Sequence, residues 1–263
     1  MLVGGPSTYG WRSDWITGLL EYCRLRGCQV NVLSWHELTG SSIPAIEDHL
    51  DYAREELAES SAYAGLRIRE LHVNEALIAS DQYRPGELLG VMHYLEAGGA
   101  DAAARTCWPA LNGESNCYND TLAGLLVPGT FEPRAAWWAT KAYSDGVGSR
   151  VLSRFSDPHV VGIASATSDR PRSAQLLIAH TRGHRPPSAR REGDLPQAAQ
   201  SGLPARRAQA ACRDRALSRL GKRPVGRPRT RRPAVVEIER GEATLTLHDV
   251  AQHEAYRLRL LEP

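Results

Sequence analysis

The hydrophobic and polar positions of the first 145 residues alternate between two periodicities. Apolar runs with the length of buried strands occur at residues 2–6, 30–35, 66–73 and 102–108. Stretches whose apolar residues recur at helical spacing follow them at residues 13–26, 44–59, 85–97 and 134–144. Ser13 is the expected N-cap of the first helix. Four successive strand–helix units predict parallel strands joined by right-handed crossovers.

After Gly148 the pattern changes to that of a small antiparallel sheet. Strand-like runs occur at residues 160–165, 174–179, 235–240, 243–247 and 255–260. Gly241 and Glu242 predict a hairpin turn between two of these runs. We therefore expect an incomplete antiparallel β-sandwich made of residues 149–181 and 234–263.

A basic segment, residues 182–233, separates the two parts of the predicted sandwich. It holds 14 Arg and 1 Lys against 3 acidic residues, a local charge of +12, whereas the other residues carry 17 basic and 27 acidic groups. The segment contains no aromatic residue, and its few aliphatic residues cannot bury enough surface to offset the entropy of ordering. We expect it to be poorly ordered and to make few contacts with its neighbours. Its charge would allow non-specific phosphate binding, although Gly226, Arg227 and Pro228 match only part of a minor-groove Arg-Gly-Arg-Pro motif.

The composition of the 263 residues limits the remaining classes of protein. A hydrophobic fraction of 42% and a charged fraction of 24% are typical of a globular chain. No apolar run has the roughly 18 residues of a membrane span, and the N-terminus shows no signal peptide, so the default expectation is a cytoplasmic protein. The five cysteines lack zinc-type spacing and are interpreted as thiols.

The topology is compatible with an open sheet or with a barrel. No glycine-rich phosphate-binding motif follows any strand, which argues against the nucleotide-binding open sheets. Polar and aromatic residues instead gather where the strands end, which is where barrel enzymes place their chemistry. A complete eight-stranded barrel needs about 250 residues, more than this part of the chain provides.

Five residues at the strand ends are candidates for a site: Trp35, His36, Asn74, Glu75 and Trp108. The Glu75 carboxylate could attack an anomeric carbon or stabilise the positive charge that develops there. His36 could hydrogen-bond a sugar hydroxyl or a neighbouring carboxylate, and either tryptophan could stack on a sugar ring. Because adjacent strand residues point to opposite faces, we expect Trp35 or His36, but not both, to face the site. The alternatives are a solvated glutamate, a structural histidine and two core tryptophans.

Several short pieces of sequence together resemble a known group of enzymes. They are Val3–Pro6, Leu33–His36, Val73–Glu75, Ala104–Trp108 and Pro133–Trp138. In this order they resemble the second half of clan A glycoside hydrolases, most closely family 39, which includes β-xylosidases and α-L-iduronidase. The resemblance implies an α/β part followed by an all-β part. Residues 1–148 would form the second half of a (β/α)8 TIM barrel, with strands five to eight, and the accessory β-sandwich would follow.

The resemblance also implies roles for the candidate residues. Glu75 matches the nucleophile of a retaining mechanism, and His36, Trp35, Asn74 and Trp108 would contact a carbohydrate substrate. The family's acid/base glutamate follows an asparagine on strand four, for which we find no counterpart, and the family offers no role for Glu37. We therefore expect a β-xylosidase-like hydrolase that needs no cofactor or metal and is weakly active or inactive as given, whereas the sugar and the oligomeric state stay open.

Residues 182–233 occupy the place where further sandwich strands are expected from the resemblance. Two compensating frameshifts or sequencing errors would explain the sudden change of composition, and a genuine linker is the alternative. A nucleic-acid-binding protein that acts through this segment is the alternative function, and a non-functional fragment of the hydrolase is a third interpretation.

Overall fold

The computed structural model describes the following parts of the chain: residues 2–38, 43–108, 115–146, 149–157, 159–166, 173–181 and 252–261, with four two-residue strands between residues 215 and 243. The chain divides into two compact units. The first comprises residues 1–82 and 91–124, and the second comprises residues 83–90 and 125–263.

The first unit is built on a four-stranded parallel sheet. Its strands are β1 (Gly4–Thr8), β2 (Val32–Glu37), β3 (Glu70–Ala76) and β4 (Ala102–Arg105). They lie in the order β1-β2-β3-β4, and every neighbouring pair is parallel. The predicted sequence of parallel βα units is thus confirmed for these four strands.

The helices follow the predicted spacing, with differences at their ends. They are α1 (Ser13–Arg26), α2 (Ala45–Tyr52), α3 (Pro85–Ala97) and α4 (Ala135–Asp145). Arg12 is the N-cap residue of α1, so Ser13 is the first helical residue and the predicted Ser13 cap is wrong. The predicted helix at 44–59 becomes α2 followed by a π-helical segment, Ala53–Ala58, and a 3-10 helix, Ser61–Leu66, leads into β3.

The core of the first unit lies between this sheet and its helices. Ile16 and Leu20 are fully buried on one side of α1 because residues four apart lie on the same helix face. Leu33, Trp35 and Val73 are fully buried in the two central strands. Consecutive buried residues in β2 are typical of parallel strands, which are usually covered on both faces.

The second unit contains an antiparallel sheet. The strands of this sheet are β5 (Ser149–Val151), β6 (Val160–Ala166), β7 (Ser173–His180) and β12 (Ala255–Leu261). Between β7 and β12 in the chain are four two-residue strands, β8 (Arg215–Ala216), β9 (Arg229–Thr230), β10 (Ile238–Glu239) and β11 (Glu242–Ala243). The four-stranded sheet has the order β12-β7-β6-β5, while β8 pairs with β9 and β10 with β11. Ile178, Tyr256 and Leu258 form its buried core. The antiparallel pairing predicted after Gly148 is confirmed.

Two sequence predictions fall largely on residues that the structure does not describe. Within the predicted hairpin, Ile238 pairs with Ala243 and Glu239 with Glu242, so Glu242 belongs to a strand rather than to the turn. The remainder of that hairpin lies outside the described residues. The basic segment 182–233 also lies outside them, apart from the antiparallel pair β8 and β9.

The prediction that all cysteines are thiols is wrong for four of the five. Cys23 forms a disulfide with Cys28, and Cys107 forms one with Cys117. Gly27, in a left-handed conformation with φ of 72°, turns the chain after α1 and brings the Cα atoms of the first pair to 4.7 Å. The Cα atoms of the second pair lie 5.1 Å apart, also within bridging range. No helix in the described part of the chain is long and apolar enough to cross a membrane.

Candidate active site

The carboxyl ends of β2 and β3 bring His36 and Glu75 together. The two residues are register partners in the parallel ladder, and His36 Nδ1 lies 3.6 Å from Glu75 Oε2. The Glu75 side chain is 44% exposed and that of His36 is 21% exposed, so both can be reached by a ligand. We call the sheet face that carries this pair the site face.

A break in the ladder explains why Glu75 points to the site face. Val73 pairs with Trp35 and Glu75 pairs with His36, so β3 has one more residue than β2 between the two pairs, and that residue is Asn74. Without this bulge, strict alternation would direct Glu75 to the same side as Val73. Bulges re-aim side chains in this way at sheet edges and beside active sites, although they are rare between parallel strands.

A chain of hydrogen bonds joins the ends of the first three strands beside this pair. The Asn74 side-chain amide donates to Ser7 Oγ at 2.7 Å, and Ser7 Oγ lies 3.0 Å from Ser34 Oγ. Ser7 is itself an extra residue, because Pro6 pairs with Ser34 while Thr8 pairs with Trp35. The two bulged residues, Ser7 and Asn74, therefore contact each other and fix the strand ends.

Trp35 lies on the opposite face, among the helices. Its side chain is fully buried, its indole N–H donates to Glu37 Oε1 at 2.7 Å, and its ring packs edge-on against Trp11 at 5.0 Å. A ring without exposed surface has no face on which a sugar can stack, so the prediction that Trp35 contacts substrate does not agree with the structure. Of the two alternatives considered for this strand end, His36 is the residue that faces the site.

Trp108 follows β4 and is half-buried. Its indole N–H donates to the Leu77 carbonyl at 2.9 Å, just beyond the end of β3. Its main-chain N–H donates to Asn116 Oδ1 at 2.7 Å, and its carbonyl accepts from the Asn116 N–H at 3.1 Å. Trp108 is thus held next to the strand that carries Glu75.

Among the residues that the structure describes, no group of three or more His, Cys, Asp or Glu side chains is placed to hold a metal ion. The chemistry that His36 and Glu75 offer is that of a carboxylate with an imidazole neighbour. Such a carboxylate can act as a nucleophile or can stabilise a developing positive charge.

The sequence pattern does not predict the roles of Ser7, Leu77 and Gln82 or the structural contacts of Asn116. Gln82 Oε1 accepts from the buried Asn116 side chain at 2.6 Å, across 34 positions of sequence. Nothing in the local pattern of either residue indicates this contact. Ser7 offered one signal, because it directly follows the apolar run that ends in Gly4, Gly5 and Pro6.

Comparisons with known proteins agree on the fold. No family model matches the sequence. A 3-O-α-D-galactosyl-α-L-arabinofuranosidase from Bifidobacterium longum subsp. longum is 25% identical over 156 residues, which are 59% of this chain and 12% of that enzyme.

Several solved structures match over nearly the whole of this chain, and the following three are among them. The protein N2152 from Neocallimastix frontalis has a TM-score of 0.70 and 18% identity, and the match covers 98% of this chain and 60% of that one. A monomeric β-xylosidase from Caulobacter crescentus CB15 has a TM-score of 0.59 and 13% identity, with 100% and 62% coverage. The family 39 enzyme from Xanthomonas axonopodis pv. citri has a TM-score of 0.55 and 13% identity, with 100% and 60% coverage.

The chain therefore spans about 60% of the solved structures that it matches, and a far smaller share of the arabinofuranosidase. Such identities establish likeness of fold and leave activity to be tested. The named enzymes are glycosidases, whereas the basic segment that suggested nucleic-acid binding lies mostly outside the described residues. In fold, this chain resembles the family 39 glycoside hydrolases over part of their length.

Proposed function

We propose that this chain carries the nucleophile side of a retaining glycoside hydrolase site, with Glu75 as the nucleophile. The observation that carries the proposal is the pairing of Glu75 with His36, 3.6 Å apart, at the carboxyl ends of two parallel strands. Strand ends of this kind hold the chemistry of barrel enzymes. The fold likeness to family 39 glycoside hydrolases supports the same assignment.

The reaction has two displacement steps. Glu75 attacks the anomeric carbon while the bond to the leaving oxygen breaks, and that oxygen takes a proton from an acid. Water then attacks the anomeric carbon of the glycosyl ester, gives up a proton to a base and releases Glu75 as a carboxylate. Two inversions leave the anomeric configuration unchanged. His36 would orient Glu75 or a sugar hydroxyl, while Asn74 and Trp108 would contact the sugar.

A retaining site needs a second carboxyl group about 5–5.5 Å from the nucleophile. In the sequence resemblance, the strand-four asparagine–glutamate pair that would supply it has no counterpart within residues 1–263, because Asn74 and Glu75 match the strand that carries the nucleophile. We propose that the acid/base residue lies in polypeptide beyond these residues, which fits a chain that spans about 60% of the solved structures. Turnover of ordinary glycosides by this chain alone would then be slow.

The proposed substrate class is an aryl or alkyl β-xyloside, because the motifs and one of the matched structures point to β-xylosidases. Dinitrophenyl β-xyloside tests the nucleophile separately, because its leaving group departs without an acid. We expect the 263-residue chain to release one equivalent of dinitrophenolate in a burst and then to turn over slowly, since no base activates water. Azide should accelerate the second step and yield β-xylosyl azide.

Two glutamates on β3 provide the variant and its control. Glu75→Gln should abolish the burst and the formation of β-xylosyl azide. Glu70→Gln alters a carboxylate at the other end of β3, where Glu70 Oε2 lies 2.8 Å from His72 Nε2, and should leave the burst intact. A burst of normal size in Glu75→Gln would remove the assignment of the nucleophile. An α-configured azide product would instead contradict the retaining mechanism.

A further inference from the structure

We propose that Trp108 is a positioning residue for Glu75, and that its indole N–H, rather than its apolar ring alone, performs this role. The inference rests on the proposed function, because it concerns the residue assigned there as the nucleophile. The proposed role depends on a series of hydrogen bonds that begins at the Cys107–Cys117 disulfide and ends at Leu77, the residue after β3.

The support acts on an unusual piece of backbone. Leu77, two residues after Glu75, has a φ of +87°, a left-handed value that is rare for a residue with a branched side chain. Its side chain is buried, so it cannot relax outward without exposing apolar surface. Conformations of this kind persist only where the surroundings hold them, and they are concentrated at functional sites.

Two hydrogen bonds from the end of β4 hold this turn. The Trp108 indole N–H donates to the Leu77 carbonyl at 2.9 Å, and the Thr106 main-chain N–H donates to the Ala76 carbonyl at 3.1 Å. Consecutive carbonyls after Glu75 are therefore fixed from the same neighbouring segment. Loss of the indole bond would loosen the Leu77 peptide, two residues after Glu75, and would leave the Thr106 bond to Ala76 to hold the strand end.

Trp108 is in turn fixed by Asn116. The two residues exchange two hydrogen bonds, from the Trp108 N–H to Asn116 Oδ1 at 2.7 Å and from the Asn116 N–H to the Trp108 carbonyl at 3.1 Å. The Asn116 side chain also donates to Gln82 Oε1 at 2.6 Å, and both of these side chains are buried. Buried polar groups satisfied in this way define one geometry rather than several.

The Cys107–Cys117 disulfide closes the arrangement covalently. Its two cysteines are the immediate neighbours of Trp108 and Asn116 in sequence, and their Cα atoms are 5.1 Å apart. The bond therefore keeps the two hydrogen-bonded residues opposite each other. We call Trp108, Asn116 and this disulfide the Trp108 clamp.

A stacking platform and a positioning residue respond differently to Trp108→Phe. Phenylalanine keeps an apolar ring against a sugar but has no N–H for the Leu77 carbonyl. If Trp108 only stacks on the sugar, Trp108→Phe should change substrate affinity and little else. If it positions Glu75, the rate constant of glycosylation should fall by about 10–100-fold with little change in substrate affinity, because misplacement of a reacting group by about 1 Å has such an effect.

The first test is independent of activity. Hydrogen exchange of indole N–H groups is followed by NMR in the 263-residue chain with nitrogen-15 tryptophan, and Trp108→Phe assigns the Trp108 signal. We expect the Trp108 indole to exchange at least about tenfold more slowly than that of Trp15, whose side chain is 61% exposed. Cys107→Ser/Cys117→Ser should remove this protection, whereas Cys23→Ser/Cys28→Ser, which removes the other disulfide, should keep it.

The second test reads the position of Glu75 without substrate. In the wild-type chain, a nuclear Overhauser effect should couple the side-chain protons of Glu75 and His36, because the two groups lie 3.6 Å apart. Trp108→Phe and Cys107→Ser/Cys117→Ser should weaken this coupling, and Cys23→Ser/Cys28→Ser should not. The glycosylation rate with dinitrophenyl β-xyloside, measured on the same four proteins, should follow the same order.

The outcomes separate this inference from the proposed function. Fast exchange of the Trp108 indole in the wild-type chain, or unchanged coupling of Glu75 to His36 in Trp108→Phe, would overturn the inference. Unchanged glycosylation by Trp108→Phe in a chain that shows the burst would also overturn it. Absence of the burst in the wild-type chain, with protection and coupling as expected, would refute the glycosidase assignment while it supports the clamp.

Discussion

Glu37 is a buried carboxylate that supports packing, although its neighbour His36 lies on the site face. Its side chain is almost fully buried and lies 2.7 Å from the Trp35 indole nitrogen and 2.8 Å from His49 Nδ1. Trp11 stacks on His49 with a ring separation of 4.9 Å. Glu37 thus joins β2 to α2, while His36 beside it points to the opposite face.

Removal of this carboxylate should destabilise the first unit. Glu37→Ala leaves the buried Trp35 indole N–H and the partly buried His49 imidazole without their acceptor, and an unsatisfied buried group costs about 1–3 kcal/mol. We expect the free energy of unfolding, measured with urea, to fall by about 2–4 kcal/mol. Glu56→Ala, at an exposed position of the π-helical segment, serves as the control. Equal stability of the two variants would show that the buried hydrogen bonds contribute little.

Within the second unit, α4 is tied to the antiparallel sheet near its end. Gln175 of β7 donates to the Ala142 carbonyl at 2.8 Å, and Arg257 of β12 donates to Asp145 Oδ2 at 3.0 Å. Lys141, one turn earlier in α4, donates to Asp145 Oδ1 at 2.7 Å. Burial raises the pKa of Asp145, but the hydrogen bonds from Lys141 and Arg257 outweigh it and leave that pKa below its usual value.

This pKa predicts how the contribution of Asp145 to stability depends on pH. The unfolded carboxyl titrates near pH 3.9, above the folded one, so the stabilisation is complete above that pH and is lost as the pH falls through the folded pKa. We expect Asp145→Asn to lower the free energy of unfolding by about 0.5–1 kcal/mol at pH 7, since the group is partly solvated. Urea titrations at several pH values should show the difference shrinking below about pH 4. A difference that grows in acid would contradict the assignment.

The helices could be predicted from the sequence more accurately than the bulges in the strands. The change from strand to helix spacing predicted α1 and α3 at the bounds observed. In α1 the buried residues Ile16, Leu20 and Cys23 recur at helical spacing. The bulges at Ser7 and Asn74 leave no such sign, since an extra residue looks like any other polar residue at a strand end. Motif similarity made Glu75 a candidate, whereas the opposite orientations of Trp35 and His36 became clear only from the register of β2 and β3.

At the scale of the whole molecule, covalent cross-links are unevenly distributed in the described residues. Both disulfides lie within the first unit, where one closes the end of α1 and the other closes the segment after β4. The sequence could not predict them, because spacings of 5 and 10 residues fit free thiols equally well. Pairing depends on a left-handed glycine in one case and on the contacts of Asn116 in the other.

Reduction should therefore act on one unit. A disulfide that closes a loop of 5 or 10 residues contributes about 2–3 kcal/mol to the free energy of unfolding in the chain-entropy model. We expect dithiothreitol to speed amide exchange in β2 and β3 of the first unit, as measured by mass spectrometry, and to leave exchange in β7 and β12 of the second unit unchanged. Equal acceleration in both sheets would show that the two units unfold as one.

The bulge at Asn74 divides β3 into two stretches of opposite parity. Before the bulge, the odd-numbered residue Val73 faces the helices. After the bulge, the odd-numbered residue Glu75 lies on the opposite, site face. The alternation of side chains therefore shifts by one residue at Asn74. Insertion or deletion of one residue at this position would turn every later side chain of the strand to the other face of the sheet. The orientation of Glu75 therefore depends as much on the number of residues in β3 as on their identity.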